Sequence, residues 1–321
     1  MKNIVIWGLG GHAIKNIIPA IVSSNYLNLY GIYTRNLEVL AEQSMKFNCL
    51  KYESEESMLQ DDDIDIIFLS TPIGLHAKHG MKILKSEKHL WCEKPLTSDF
   101  IDTQELISFS KQNQLMVAEG FMYLHHPHFT AVKSFIYDQL QYGMISINIK
   151  FGIPFLDNPG FRMTKELAGG AYWDVGTYPI SAILSLFPES KLEVLSSEIR
   201  SEKDFEVDIS GNARILIDSI HNISIEWGIG TSYRNEIDIW GKNESLFTDK
   251  IFSKPRQYFP ELEIRDKKGV KKSIKLDAND HFELMLDDFY KTLDDDSLMS
   301  KKRDEILARS LIFNKIRNFK D

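Results

Sequence analysis

The chain has 321 residues, of which 43% are apolar and 26% charged, a balance typical of a globular protein long enough for two domains. Its 38 basic and 46 acidic residues give a formal net charge of -8, which argues against a general nucleic-acid or anionic-membrane surface but not against a local phosphate site. Two cysteines, Cys49 and Cys92, are too few for a disulfide framework or a thiolate metal cluster. The charge and the cysteine count therefore predict no nucleic-acid or metal partner, and a reducing cytoplasm is the expected location. Neither a signal peptide nor a run of about 20 apolar residues is recognisable, so we expect no membrane partner.

The amino-terminal stretch NIVIWGLGGHAIKNII predicts a strand, a glycine turn and a helix in succession. The apolar run Ile4–Trp7 is typical of a buried strand, and the turn after it has the spacing G-x-G-x-x-A. Gly8 would allow a tight turn, Gly10 would let a pyrophosphate approach the backbone, and the small Ala13 would let the helix pack closely on the strand. An ordinary glycine-rich turn is the alternative. On the first interpretation, the residues expected to contact a dinucleotide are Gly8, Gly10, Gly11, His12 and Ala13.

Strands and amphipathic stretches alternate over residues 1–120, which predicts βαβ units around a parallel sheet. The predicted strands are Ile4–Trp7, Leu29–Thr34, Ile64–Ser70, His89–Glu93 and Leu115–Glu119. Pro19 should end or kink the first helix, because proline has no backbone N–H to donate. We therefore predict a doubly wound, Rossmann-type dinucleotide-binding domain over residues 1–120.

The end of the second predicted strand bears on the choice of dinucleotide, because in such folds it meets the adenosine ribose. Here Thr34 and Arg35 stand where a carboxylate would select NAD. Arg35 could pair with a 2′-phosphate through its planar guanidinium, and Thr34 could donate a hydroxyl hydrogen bond. We expect a preference for NADP(H). A solvated surface arginine is the alternative, and Glu38 nearby keeps NAD(H) possible.

After residue 120 the pattern changes to α+β. A helical stretch reaches Leu140, and further elements are predicted at Ile145–Phe151 (strand), Ala171–Phe187 (helix), in the strand-like segments LEVLSSEIRS, DISGNARILID, ISIEWGIG and NEIDIWG, and near His281–Leu293 and Lys302–Asn318 (helices). We predict a second domain over residues 121–321, with a large, mostly antiparallel, open-faced sheet that binds substrate and forms oligomers. An exposed apolar sheet face requires a partner, so we expect a homodimer or homotetramer.

Four stretches carry further motifs: STPIGLHAKHG, WCEKPLT, AEGFMYLHHPHF and FRMTKELAGGAYWDVGTYPI. The first is similar to a T-P-N-x-x-H turn with Ile73 in place of the usual Asn, and the second carries E-K-P. The third has Leu124 where Arg is frequent, and the fourth is similar to G-G-x-x-x-D-x-G-x-[HY]. In this order after the glycine turn, they resemble the Gfo/Idh/MocA (glucose-fructose oxidoreductase / inositol dehydrogenase) family over nearly the whole chain.

The resemblance implies an oxidoreductase with a nicotinamide cofactor. It also implies that the peptide bond before Pro95 is cis. Carried over onto the matching motifs, it implies further cofactor contacts at Ser70, Thr71, Pro72, His76, Glu93 and Lys94.

Lys94 follows the strand predicted at His89–Glu93, at the carboxyl edge where doubly wound sheets bind their ligands. A lysine beside a nicotinamide can hydrogen-bond a carbonyl oxygen and stabilise the alkoxide that forms as hydride arrives. We therefore predict that Lys94 is catalytic and contacts substrate. A surface lysine beside a turn proline is the alternative.

Asp174 and Tyr178 are four residues apart, so on a helix they share one face. Tyrosine has a reference pKa of about 10, so Tyr178 is suited to give a proton to the alkoxide, with Lys94 lowering its pKa. Asp174 would position the substrate hydroxyl or Lys94. A helix with a capping Asp and a core Tyr is the alternative, and many family members have His where Tyr178 stands.

Other polar residues near these motifs are candidates for substrate contact. Tyr123 and Arg162 are predicted to bind substrate, although a surface salt bridge is equally open for Arg162. The histidines at 125, 126 and 128 are interrupted by a proline and have no adjacent acidic or thiol ligand, which argues against a metal. We expect them to line the substrate cleft or to cap a helix.

These residues together predict an NADP(H)-preferring oxidoreductase that moves hydride between the nicotinamide and a ketone or secondary alcohol of a sugar. The FMY segment and Tyr233–Gly241 resemble members that act on nucleotide-linked sugars, including sugar 3-ketoreductases. A free-sugar or dihydrodiol dehydrogenase is the alternative enzyme. A catalytically idle dinucleotide-binding sensor is the alternative from another class, but such a sensor would need only the glycine turn.

Overall fold

A computed structural model describes residues 1–320, which form two compact units. The first unit combines Met1–Phe121 with Phe282–Ser310, and the second combines Met122–His281 with the described residues from Leu311 onward. From the sequence, the whole of residues 121–321 is instead predicted to form the second domain. The difference concerns the carboxy-terminal helices, whose contacts are described below.

The first unit contains a six-stranded parallel sheet of the predicted Rossmann type. Its strand order is β3-β2-β1-β4-β5-β6, the order of dinucleotide-binding doubly wound folds. The short third strand escapes sequence prediction because both of its side chains are exposed. The strands are β1 (Lys2–Trp7), β2 (Leu27–Tyr33), β3 (Leu50–Lys51), β4 (Ile66–Leu69), β5 (His89–Cys92) and β6 (Val117–Glu119), and the helices among them are α1 (Ile18–Ser23), α2 (Leu37–Phe47), α3 (Glu55–Leu59), α4 (His76–Lys85) and α5 (Phe100–Gln112).

The first helix is irregular near Pro19, where the sequence predicts that it ends or kinks. A π-helical turn, Ala13–Ile17, leads into α1, and Pro19 lies in the first turn of α1. Proline has no N–H to donate inside a helix, and the π-helical turn just before it shifts the hydrogen-bonding pattern there. The helix therefore continues past Pro19 with a change in its hydrogen bonding.

The second unit is built on the predicted large sheet. Eight strands lie in the order β14-β13-β12-β11-β7-β10-β9-β8, and all neighbours are antiparallel except the parallel pair β7 and β10. Its elements are β7 (Ser146–Ile153), β8 (Leu192–Ser201), β9 (Asp208–Ile217), β10 (His221–Ile229), β11 (Arg234–Trp240), β12 (Glu244–Asp249), β13 (Glu261–Asp266), β14 (Lys271–Lys275), α6 (Pro127–Leu140) and α7 (Thr177–Leu186). The predicted fold class is thus confirmed for both sheets.

The outer face of this sheet is polar, which corrects the expectation of an apolar open face. Inward positions on the central strands are buried, and the positions between them carry mainly Asn, Ser and charged residues. Several of these charges pair within the face, as Lys150 does with Glu226 at 3.1 Å. Trp240, 72% exposed, and Phe247, 40% exposed, are apolar side chains on this face. The sequences of β9 to β11 alternate between apolar and polar residues, so the polar outer face could have been predicted from them.

Two further helices, α8 (His281–Thr292) and α9 (Asp296–Arg317), follow the sheet in sequence. In α8, Phe289 packs edge-on against Trp91 of β5, with 5.4 Å between ring centroids. In α9, Arg303 donates to Ser110 Oγ at 3.2 Å and to the Leu115 carbonyl at 2.9 Å. These contacts place Phe282–Ser310 with the first unit.

Over residues 1–320, no helix is both long and apolar enough to cross a membrane.

Candidate functional site

The glycine turn after β1 has the geometry that its spacing predicts. Gly8 has φ +105°, and a Cβ there would lie 2.6 Å from the Ser70 carbonyl oxygen, so only glycine fits beside β4. A Cβ at Gly10 or Gly11 would meet no atom within 4 Å, which leaves their backbone open to an approaching phosphate. Ala13 is fully buried. The turn therefore fits a dinucleotide pyrophosphate.

The segment after β2 presents the predicted ribose contacts. Thr34 is half-buried and Arg35 is exposed. Asn36 caps α2, since its side-chain oxygen accepts from the backbone N–H groups of Glu38 and Val39. Within residues 1–320, Arg35 makes no hydrogen bond or ion pair, so its guanidinium is available to an anion at this edge of the sheet.

His12 and Glu93, both predicted cofactor contacts, meet each other. Nε2 of His12 lies 3.2 Å from Oε1 of Glu93, and Nδ1 of His12 lies 3.2 Å from the side-chain nitrogen of Asn16. When the ring is neutral and Asn16 donates to Nδ1, Nε2 carries the proton that faces Glu93. Burial alone would raise the pKa of Glu93, but the charge and hydrogen bond of His12 and the charge of Lys94 lower it below its ordinary value. This contact ties the glycine turn to the turn that follows β5.

The turn after β4 carries Ser70, Thr71 and Pro72, all half-buried. Oγ1 of Thr71 lies 3.2 Å from Nδ1 of His79, and the His79 ring stacks on Trp7 with centroids 4.3 Å apart. Burial lowers the pKa of His79 to about 4, so it is neutral at physiological pH. Sequence reasoning missed His79, although it follows the T-P-x-x-x-H motif by three residues.

His76 does not occupy the place expected of a cofactor contact. Its side chain is buried, with Nδ1 2.9 Å from the Pro95 carbonyl oxygen and Nε2 2.8 Å from the Thr71 carbonyl oxygen. Burial lowers the pKa of His76, against the opposing effect of both carbonyls. Because both ring nitrogens are engaged by the protein, His76 links the turns after β4 and β5 and has no nitrogen left for a ligand.

Lys94 lies immediately after β5, at the carboxyl edge of the parallel sheet, and is 9% exposed. The Lys94–Pro95 peptide bond is cis, as the family resemblance implies. Two residues on, the Leu96 N–H donates to Oε1 of Glu119 at 2.8 Å, and Oε2 of Glu119 accepts from Nε of Arg309 at 2.7 Å. Sequence reasoning missed Glu119 and Arg309. A carboxylate at the end of an apolar strand was the available signal for Glu119.

In the second unit, the two glycines of the G-G-x-x-x-D motif allow a close backbone approach. A Cβ at Gly169 would lie 2.5 Å from the Arg162 carbonyl oxygen, and Gly170, at φ +110°, donates its N–H to the same oxygen at 2.7 Å. This brings Nε of Arg162 to 2.6 Å from Oδ2 of Asp174. Of the two alternatives for Arg162, the structure therefore shows a salt bridge, and its partner is a predicted catalytic residue.

Tyr178 lies at the start of α7, after a π-helical turn, Tyr172–Gly176, that contains Asp174. The regular α-helix assumed from their four-residue spacing is thus interrupted between them. The Tyr178 ring packs edge-on against Phe151, with centroids 5.0 Å apart, and its hydroxyl lies 3.9 Å from Sδ of Met122. Tyr178 is 8% exposed, so its ring is held in an apolar setting.

Tyr123 is fully buried and packs against the Tyr178 ring, with centroids 5.9 Å apart. Its hydroxyl is 2.7 Å from Oγ of Ser181, whose own hydroxyl donates to the Tyr178 carbonyl at 2.8 Å. The structure thus places Tyr123 as a support for Tyr178, which corrects the expectation of an accessible substrate contact.

The neighbouring histidines take structural positions. Nδ1 of His126 accepts from the backbone N–H of His128 at 2.9 Å and caps α6, as one of the predicted alternatives has it. Nε2 of His128 lies 2.7 Å from Oγ1 of Thr248. Burial lowers the pKa of His126 to about 4 and that of His128 to about 3. Among the described residues, no group of three His, Cys, Asp or Glu side chains is arranged to hold a metal.

Comparison with known proteins gives consistent matches. Residues 2–121 match the family model GFO_IDH_MocA, described as an oxidoreductase family with an NAD-binding Rossmann fold. The chain is 28% identical over 279 residues to the dTDP-3,4-didehydro-2,6-dideoxy-α-D-glucose 3-reductase of Saccharopolyspora spinosa, covering 86% of this chain and 82% of the relative. It is 25% identical to the scyllo-inositol 2-dehydrogenase (NADP(+)) IolU of Bacillus subtilis, with 77% and 75% covered.

Among solved structures, the chain is similar to KijD10, a 3-ketoreductase from Actinomadura kijaniata, in complex with NADP and TDP-benzene. The TM-score is 0.91 and the identity 25%, and the match covers 98% of this chain and 97% of that one. The similarity therefore extends over both units and is not confined to the glycine turn.

Proposed function

Because the chain belongs to the Gfo/Idh/MocA family of oxidoreductases, we propose that it is an NADP(H)-dependent reductase acting on a ketone of a nucleotide-linked sugar. The observation that carries this proposal is the match along almost the full length of both chains to a 3-ketoreductase in complex with NADP and TDP-benzene. The reductase of Saccharopolyspora spinosa, named for a dTDP-linked sugar, supports the same substrate class.

In the proposed reaction a ketone, NADPH and a proton give a secondary alcohol and NADP⁺. The residues of the first unit fit the cofactor, since the Gly10 and Gly11 backbone is open and Arg35 is exposed at the end of β2. When bound, the cofactor supplies hydride to the carbonyl carbon. Lys94 hydrogen-bonds the carbonyl oxygen through Nζ and stabilises the negative charge that develops on it. Tyr178 then gives its phenolic proton to that oxygen.

Asp174 takes part in this scheme as an orienting group. Its carboxylate is held by Arg162, and in the proposed reaction it accepts a hydrogen bond from a substrate hydroxyl. A carboxylate that accepts a charge-assisted hydrogen bond is restricted in its orientation, which makes it an accurately placed acceptor. Arg162 therefore supports substrate binding through Asp174.

We predict that Arg35→Ala weakens NADPH binding and leaves NADH binding unchanged. A charge-assisted hydrogen bond contributes about 1.5 to 3 kcal/mol, so the NADPH dissociation constant should rise roughly ten- to a hundredfold. Fluorescence titration of both cofactors into wild type and variant measures this. Lys46→Ala is a matched control, because Lys46 is a cation near the far end of α2. Equal wild-type affinity for NADH and NADPH would show that Arg35 does not contact the 2′-phosphate.

An alternative substrate class is a free polyol or sugar, which the similarity to scyllo-inositol 2-dehydrogenase favours. One assay distinguishes the two substrate classes. NADPH consumption is followed with a dTDP-linked 3-ketosugar and with an unlinked ketocyclitol at equal concentrations. Our proposal expects a much higher kcat/KM for the nucleotide-linked substrate, whereas the reverse ranking supports the alternative. Consumption with neither would favour the idle sensor.

Oligomer formation and a cytoplasmic location stay predictions. The polar outer face of the second sheet would make any dimer interface there hydrogen-bonded and wet, like many non-obligate interfaces. Light scattering at micromolar concentration should give the mass of a dimer or tetramer. The measured mass should fall when Trp240, the most exposed apolar side chain of that face, is replaced by Ser. A monomer mass for the wild type would contradict the prediction.

A further inference from the structure

The backbone after Lys94 is held from two sides within the first unit. On one side, Nδ1 of His76 lies 2.9 Å from the Pro95 carbonyl oxygen. On the other side, Glu119 accepts the Leu96 N–H at 2.8 Å. Both contacts fall within two residues of Lys94, so they fix the direction in which its side chain leaves the sheet.

Glu119 is in turn held by a residue far along the chain. Nε of Arg309, in α9, donates to Oε2 of Glu119 at 2.7 Å, and both side chains are more than nine-tenths buried. The Arg309 guanidinium also lies over the Phe121 ring, 5.6 Å from its centroid. A buried carboxylate without a partner is strongly unfavourable, so the contact with Arg309 is what allows Glu119 to stand beside the Leu96 amide.

A second link from the same helix reaches the same segment. Oγ of Ser310 donates to Oγ1 of Thr103 at 3.0 Å, and Oγ1 of Thr103 is 2.7 Å from Oγ1 of Thr97. Two consecutive residues of α9 therefore support the chain from Leu96 to Thr97. These bonds add to the contacts of Phe289 and Arg303 that hold Phe282–Ser310 with the first unit.

We propose that Glu119, held by Arg309, is a positioning residue for Lys94: it fixes the backbone of the Lys94 turn and thereby sets kcat. The inference rests on the proposed function, because it takes Lys94 as the residue that contacts the reacting carbonyl. Hydride transfer depends steeply on alignment, and a displacement of about 1 Å can cost a hundredfold in rate. Cofactor affinity should depend little on this contact, since the glycine turn and Arg35 lie elsewhere on the sheet edge.

The test compares two double variants, Glu119→Gln/Arg309→Met and Glu119→Leu/Arg309→Met. Both remove the buried charges, and each leaves one buried polar group unpaired, the introduced glutamine amide in the first and the Leu96 N–H in the second. Their thermal stabilities should therefore be similar. Only the glutamine variant keeps an acceptor for the Leu96 N–H. Arg303→Met is the matched control, since Arg303 lies in the same helix but bonds Ser110 and Leu115.

We expect the leucine variant to have a kcat about ten- to a hundredfold below that of the glutamine variant, with unchanged KM and dissociation constant for NADPH. The Leu96 amide should also exchange its hydrogen faster in the leucine variant. Arg303→Met should lower stability and leave kcat unchanged. Equal kcat per folded molecule in the two double variants would overturn the proposal. If the wild type consumes no NADPH with any ketosugar while Leu96 exchange still differs, the proposed function fails and the backbone restraint stands.

Discussion

Replacing Lys94 by Ala is expected to lower kcat for ketosugar reduction by about three orders of magnitude or more. Loss of a single charge-stabilising donor costs about 10²- to 10³-fold, and in the proposed mechanism the substitution would also remove the positive charge that favours proton release from Tyr178. NADPH binding should remain, because the glycine turn and Arg35 are untouched. Steady-state assay for kcat and fluorescence titration for the cofactor give the two quantities.

Lys88 supplies a matched control for this substitution. It immediately precedes β5, at the opposite end of the strand from Lys94, and is also buried. Lys88→Ala should reduce stability without changing kcat per folded molecule, because the amino edge of a parallel sheet does not bind the ligand. Comparable loss of kcat in both variants would mean that Lys94 acts through the fold and not at the carbonyl.

Replacing Tyr178 by Phe is expected to lower kcat by roughly two to four orders of magnitude, the usual scale for a positioned general acid. The ring would keep its packing against Phe151 and Tyr123, so stability and cofactor affinity should be close to those of the wild type. The Lys94→Ala/Tyr178→Phe double variant should be little worse than either single one, because residues that act as one unit are not additive.

Tyr172→Phe is the corresponding control, since Tyr172 lies in the adjoining π-helical turn. Its hydroxyl donates to the Phe313 carbonyl, so its removal should lower the unfolding temperature and leave kcat unchanged. If Tyr178→Phe retains near-normal turnover while Lys94→Ala is inactive, the proton comes from lysine or water, and the role given to Tyr178 is wrong.

Local sequence pattern predicts the two sheets of this protein well, because burial makes the parallel strands of the first sheet continuous apolar runs and makes the strands of the second sheet alternate. The tight turn predicted at Gly8 is confirmed, and its cause is steric, since no side chain at this position fits against Ser70. The same pattern does not say which sheet a helix covers. That is why α8, which packs on Trp91, is assigned by sequence to the second domain.

The candidate site shows the same division between local and long-range information. Lys94 and Asp174 are identified by short motifs, because their neighbours in sequence are also their neighbours in space. Glu119 and Arg309 are 190 residues apart, and no local pattern links them. His76 stands in a recognised motif, yet its two carbonyl partners, and hence its structural position, become visible only when the turns after β4 and β5 are brought together.

The central claim, that this chain passes hydride from NADPH to a ketone of a nucleotide-linked sugar, is tested most directly by following an isotope. Wild-type protein is incubated with a dTDP-linked 3-ketosugar and NADPH deuterated at C4 of the nicotinamide, in both stereoisomers separately. The account predicts that one stereoisomer delivers a single deuterium to the sugar carbinol carbon, seen as a product one mass unit heavier, and that Lys94→Ala abolishes this transfer. An unlabelled sugar product with both stereoisomers, or no cofactor oxidation with the wild type, would contradict it.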